Sequence, residues 1–142
     1  MKTFCYLIVD KKPNQTARNV MLSTSELKQY TMKNPPQHML GRSPEIERKY
    51  TEFASRREGR GNFIDSIKCA LRTKPYHFVP NDFPYHTTSN IEHWVCWYGK
   101  DITPAEIIRR LREKNKIVTF WKNYSHNMSI KEVSHIHVFI EK

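Results

Sequence analysis

His135 and His137 lie one residue apart in "SHIHVFI", residues 134–140. In an extended strand, residues two apart point to the same face. Both imidazoles therefore look one way, while Ile136 and Val138 look the other. A neutral imidazole near pH 7 is a nucleophile, a general base or a metal ligand. A third histidine, His93, sits in "IEHWVCWY" (91–98), where alternation puts Ile91, His93, Val95 and Trp97 on one face. Three such rings suit a phosphate, or zinc with Asp82 as a fourth ligand. The plain alternative is three core histidines with satisfied hydrogen bonds.

Other residues could join them. "PNDFPY" (80–85) holds Asn81 and Asp82 between prolines. Asn81 reads as the start of an Asx-turn. Asp82 is the only carboxylate in a long aromatic and proline-rich stretch, and a rigid loop would position it for catalysis or ligation. Tyr85 belongs to a dense aromatic set running from Tyr76 to Tyr98, which either stacks bases or packs a core. Arginines 42, 56, 57, 60, 109, 110 and 112 form either a phosphate-facing patch or solvated helix faces. Arg42, just before a helix cap, is the one expected to have a fixed task. The sequence contains no P-loop, G-x-G-x-x-G, G-x-S-x-G or H-E-x-x-H, so those chemistries lack support.

The elements that must position these groups follow from local signals. Residues 3–9 read as a first strand. Ser23 with Glu26 makes a capping box for a short helix reaching about Met32. Ser43, Pro44 and Glu45 start a clear helix whose Ile46, Tyr50 and Phe53 share a stripe. "GRG" (59–61) is expected to end it, with Asn62 capping the next helix over Ile64, Ile67 and Leu71. Prolines 75, 80 and 84 make 74–90 an extended or turning segment. Residues 91–98 are a central strand, apolar or aromatic on both faces. Thr103, Pro104 and Glu106 cap a helix that buries Ile107, Ile108 and Leu111. Strands follow near 117–124 and at 134–140. The fold class is α+β: a mostly antiparallel sheet with helices packed against it.

The 142 residues are expected to form one globular domain, 1–142, large enough for a single core. Lysine and arginine number 24 against 14 acidic residues, a net charge of +10. That balance favours nucleotide or nucleic-acid partners, or another acidic surface. Cys5, Cys69 and Cys96 have no paired spacing and read as reduced thiols, which points to an intracellular protein. The apolar run at 4–9 is too short to span a membrane, so no membrane association is expected. Cofactors and oligomeric state do not follow from the residues.

Three blocks, "GRSPEIERKYTEF" (41–53), "PNDFPYHTTSNIEHWVCW" (80–97) and "SIKEVSHIHVFI" (129–140), resemble a family of small proteins of fungi and large DNA viruses. That family is typified by the N-acetylglucosamine-induced protein of yeasts, and the likeness covers a core of about 41–140. It implies a cytoplasmic protein, or one of the host cytoplasm if viral, without implying an activity. "NYSHNMSIKEVSHIHVFI" is more distantly similar to the end of the histidine-triad nucleotide hydrolases. By position Asn123, His135 and His137 match, and the likeness implies a histidine-triad-like sheet with His137 as the nucleophile. Phe139 stands where the third histidine belongs, and the usual Gly-Gln before the serine is missing.

Two functions therefore compete. One is a histidine-dependent phosphoesterase, or a nucleotidyl hydrolase or transferase, acting on a nucleotide-like phosphate. Its catalytic residues would be His137, His135 and His93, with Asn123, Arg42, Asp82 and Tyr85 binding substrate and no metal required. The other is a non-catalytic basic protein that binds nucleic acid or another acidic partner and keeps its histidines as structure. An exposed catalytic histidine would cost little stability when truncated.

Overall fold

The computed structural model describes residues 21–29, 41–122 and 132–142. The expected strand at 3–9, Cys5, the turn after it and Asn123 lie outside the described residues. Four antiparallel strands form one sheet, β1 (Tyr76–Pro80), β2 (Ile91–Tyr98), β3 (Ile117–Trp121) and β4 (Ser134–Glu141), in the order β1-β2-β4-β3. The α+β reading holds, and β2 and β4 are the central strands. The strand expected at 117–124 is assigned as far as Trp121.

Four helices surround the sheet. α1 (Thr24–Lys28) carries the expected capping box, with Ser23 accepting from the Glu26 N–H and Glu26 accepting from the Ser23 N–H. α2 (Pro44–Ala54) starts at Ser43, whose Oγ accepts from the Ile46 N–H. Such a cap contributes about 1 kcal/mol. α4 (Pro104–Leu111) begins at Thr103 in the same way.

α3 (Arg57–Ala70) departs from expectation. The chain breaks at Ser55–Arg56, and "GRG" lies inside the helix instead of ending one. Asn62 is accordingly an interior residue and not a cap. The break lets α2 and α3 meet through Phe53 and Phe63, packed edge to face at 5.9 Å. It also turns Ile64 and Ile67 onto the sheet. Tertiary packing of that face outweighs the roughly 1 kcal/mol that each helical glycine costs relative to alanine.

Strand alternation gives the sheet two unlike faces. On one, Cys96, Tyr98, Phe120, Ile136 and Val138 pack against Ile107, Ile108 and Leu111 of α4. The other is shared by two apolar clusters. Ile64, Ile67, Val95, Trp97 and Val133 form one beneath α3. Leu22, Leu27, Tyr85, Ile91, Trp121 and Phe139 form the second, around α1 and the loop after β1. The three histidines lie on this second face.

Candidate functional site

Register places the histidines. Across β2 and β4, His93 opposes Phe139, Val95 opposes His137 and Trp97 opposes His135. Directly opposed residues share a face, so His93, His135 and His137 converge on one side of the sheet. His93 Nε2 lies 2.8 Å from His137 Nδ1, and the His135 and His137 ring centres are 5.7 Å apart. All three are buried, at 4%, 6% and 7% exposure in that order. The expectation that His137 faces solvent, and that its truncation is harmless, is therefore corrected.

Loop geometry fixes where the protons sit. Asn81 Oδ1 accepts from the Phe83 N–H at 2.8 Å, the expected Asx-turn. This turn, bounded by Pro80 and Pro84, aims the Tyr85 backbone N–H at His93 Nδ1, 3.0 Å away. A backbone amide can only donate, so His93 Nδ1 is unprotonated. Burial, assisted by the Arg42 charge, holds His93 well below the usual 6.5 and keeps the ring neutral. Its single proton is then on Nε2 and is donated to His137 Nδ1. His137 must in turn carry its proton on Nε2.

His135 has the opposite tautomer. Its Nδ1 is 3.0 Å from the Val133 carbonyl, which can only accept, so Nδ1 is protonated. Burial lowers its pKa, with the hydrogen bond to Val133 opposing and Lys122 adding a smaller depression. Neutral His135 therefore presents a lone pair at Nε2. Two residues apart on one strand, the two imidazoles hold opposite tautomers.

Aromatic rings and one arginine wall the cluster. Tyr85 lies 4.6 Å from His93 and 5.5 Å from His137, ring centre to ring centre. His93 also stacks on Phe139 at 4.4 Å, and Trp97 lies 4.5 Å from His135. The Trp97 indole N–H is buried with no hydrogen-bond partner. Arg42 is buried too: its Nε donates to the Phe83 carbonyl at 2.8 Å, and its guanidinium lies 4.3 Å from the Tyr50 ring centre and 5.2 Å from that of Tyr85. Glu47 is its carboxylate neighbour, at 3.7 Å.

Of the residues singled out in the sequence, His93, His135, His137, Tyr85 and Arg42 come together. Asp82 does not: it is exposed in the loop. Among the described residues no group of three histidine, cysteine or acidic side chains is arranged to hold a metal ion. The arginine patch is also largely internally paired. Arg56 pairs with Glu52, and Arg109 and Arg110 both pair with Glu106, drawing its carboxyl down to about 2. Arg60 is half of a two-contact pair with Glu132, at 2.8 and 2.9 Å, which ties α3 to the start of β4.

Sequence reasoning missed the Arg60–Glu132 link and the roles of the Tyr85 amide and Asn81 in orienting His93. The proline spacing around "ND" was the one local signal for the last two.

No family model matches the chain, and no curated protein matches it. Among solved structures, the crystal structure of HTC1 is similar, with a TM-score of 0.55 over 73% of this chain and 77% of that one, at 20% identity. That likeness is one of fold.

Proposed function

We propose that the histidine face is the reaction site of a phosphoesterase or nucleotidyl-transfer enzyme acting on a nucleotide-like phosphate. The observation that carries this reading is the opposed tautomers of His135 and His137. The unprotonated His135 Nε2 would attack phosphorus as the bond to the leaving alcohol or phosphate breaks. That group departs with the electron pair and takes a proton from solvent, and water or an acceptor hydroxyl then displaces the histidine from phosphorus. His137, a neutral ring two residues along the same strand face, would polarise a phosphoryl oxygen that gains charge as the bond forms. The roles are thus exchanged relative to the assignment implied by the histidine-triad likeness. His93 acts as a positioning residue, because its bond from Tyr85 dictates the His137 tautomer. The buried Trp97 N–H beside His135 is a second donor that a phosphoryl oxygen would satisfy. Arg42, close enough to bias His93, adds positive potential behind Tyr85.

The same reading includes the kinship with the fungal and viral family, since Asn81, Tyr85 and His93 all fall in its "PNDFPYHTTSNIEHWVCW" block. It also includes an intracellular location, with which the free thiols of Cys69 and Cys96 accord. No described helix is long and apolar enough to cross a membrane.

The test is turnover of a panel of nucleoside phosphoesters and phosphoanhydrides, followed by phosphorus NMR. His135→Ala should abolish turnover and any acid-labile phosphorus–nitrogen adduct, while His137→Ala should slow it less completely. Turnover that survives His135→Ala would sink the assignment.

A second reading, the non-catalytic basic binder, is favoured by the depth of the three rings. They sit among aromatics as satisfied core groups do. It predicts no turnover, and binding to an acidic polymer that weakens linearly as log salt rises. Affinity indifferent to salt would count against it.

A further inference from the structure

Three side chains form one row across the sheet. His77 of β1 opposes Trp97 of β2, and Trp97 opposes His135 of β4. Directly opposed residues share a face, so all three lie on the side that carries the histidine cluster. The Trp97 and His135 ring centres are 4.5 Å apart, and Phe63 of α3 meets Trp97 edge to face at 5.8 Å. β1 is an outer strand of the described sheet, and His77 is half-buried where Trp97 and His135 are buried. The His77 end of the row is thus the one nearest solvent.

The polar atoms of this row do not balance. His77 Nδ1 and Trp97 Nε1 are both buried without a hydrogen-bond partner among the described residues. The indole nitrogen can only donate. An imidazole nitrogen can do either, and an orphaned N–H is the costlier burial, so the proton of neutral His77 belongs on Nε2 and Nδ1 keeps its lone pair. Burial, with the Lys74 charge adding to it, lowers the His77 pKa and keeps this ring neutral at pH 7. With the bare Nε2 of His135, the row reads lone pair, donor, lone pair. A free anion would satisfy the donor and oppose both lone pairs. A phosphoryl group bonded to His135 with a hydroxyl beside it would satisfy all three.

We propose that His77 is the general base of the second half-reaction, taking the proton from the water or acceptor hydroxyl that displaces the phosphoryl group from His135. The inference rests on the phosphoryl-transfer reading of the histidine face. Neighbouring strands lie about 4.8 Å apart, so the β1 and β4 backbones are separated by about 10 Å. That span accommodates an incoming oxygen, phosphorus and the histidine nitrogen roughly in line, as this displacement requires. A phosphoryl oxygen would accept from Trp97, midway along the row. As the new phosphorus–oxygen bond forms, the phosphorus–nitrogen bond breaks and its electron pair returns to His135 Nε2. The proton goes to His77 Nδ1 and from there to solvent.

Rapid-mixing and steady-state assays of the full chain with thymidine 5′-(4-nitrophenyl) phosphate test it, alongside His77→Asn and His77→Phe. Nitrophenolate leaves without needing a proton, so its release reports the first step alone. Asparagine keeps an acceptor near the Nδ1 position without its basicity, and phenylalanine keeps the ring. Both variants should release a stoichiometric burst of nitrophenolate at the native rate, then turn over at least about a hundredfold more slowly. Hydroxylamine, an acceptor that attacks without a base, should restore their turnover. Variants that turn over like the native chain would overturn the base while leaving the phosphoryl reading intact. A burst lost together with turnover would also overturn it, by making His77 a group of the first step. No nitrophenolate from the native chain would overturn the phosphoryl reading and this inference with it. If neither variant folds, the native chain still decides: nitrogen-15 spectra should show His77 bare at Nδ1, and protonation there would overturn the assignment.

Discussion

The two faces of the sheet bury similar numbers of side chains under helices, but they are built on different physics. Beneath α4, Cys96, Ile136, Val138, Ile107 and Ile108 meet with no ionisable group whose charge must be suppressed at neutral pH. Burial there depends on shape and area alone, and one apolar side chain can replace another of like volume at small cost. Beneath α1 and α3, three imidazoles separate two apolar clusters. Each of them needs a particular partner at a particular atom, because an unmatched donor or acceptor in that setting is costly. One face supplies tolerance and the other supplies definition. A site that must hold one nitrogen bare and its neighbour protonated belongs on the second.

The sharpest contrast comes from truncating each face in turn. Ile107 is fully buried against the sheet, and Ile107→Ala should cost about 2–5 kcal/mol, read from urea denaturation. It should leave binding at the histidine face unchanged. A loss of ligand binding greater than the loss of stability explains would mean that the faces are not independent.

On the other face, His93→Phe keeps the ring stacked on Phe139 while removing both nitrogens. It strands the Tyr85 N–H and the His137 acceptor, so a loss of about 1–3 kcal/mol is expected. If the variant were as stable as the native chain, the histidines would be ordinary core rings and the comparison would collapse.

Acid should separate the faces further. His93 and His135 have folded-state pKa values below 6.5, so the unfolded chain binds protons that the folded chain resists. Stability is complete above about 6.5 and is lost as pH falls below it toward the depressed folded values. Melting temperatures should therefore drop between about pH 7 and 5, and the drop should shrink in His93→Phe. A flat profile over that interval would contradict the burial of neutral rings.

The smallest effect tests the reading of α3. A methyl group added at Gly61 meets nothing within 4 Å. Gly61→Ala should therefore stabilise by about 0.5–1 kcal/mol without touching either face. Destabilisation would show that the glycine has a task the packing does not reveal.

Much of this fold could be read in the chain because local chemistry decided it. Ser23 with Glu26 and Thr103 with Pro104 cap helices through groups three residues away, and period-two alternation put His93, His135 and His137 on predictable faces. The α2–α3 break escaped because the aromatic contact of Phe53 with Phe63 outweighed the glycines. The burial of Arg42 and Arg60 escaped for a similar reason: Phe83 and Glu132, their partners, are 41 and 72 residues away. Asp82 looked more capable than Asn81, but the turn points its carboxylate group outward and uses the amide. Which nitrogen of each histidine is protonated depends on one loop amide and one carbonyl, and side-chain identity carries no trace of that.

The central claim is this arrangement of protons, and it can be observed without any ligand. Nitrogen-15 correlation spectra of histidine-labelled protein at neutral pH assign each ring tautomer from its nitrogen shifts and two-bond couplings. The account predicts His93 and His137 protonated at Nε2, and His135 protonated at Nδ1. His137 protonated at Nδ1, or His135 at Nε2, would contradict it.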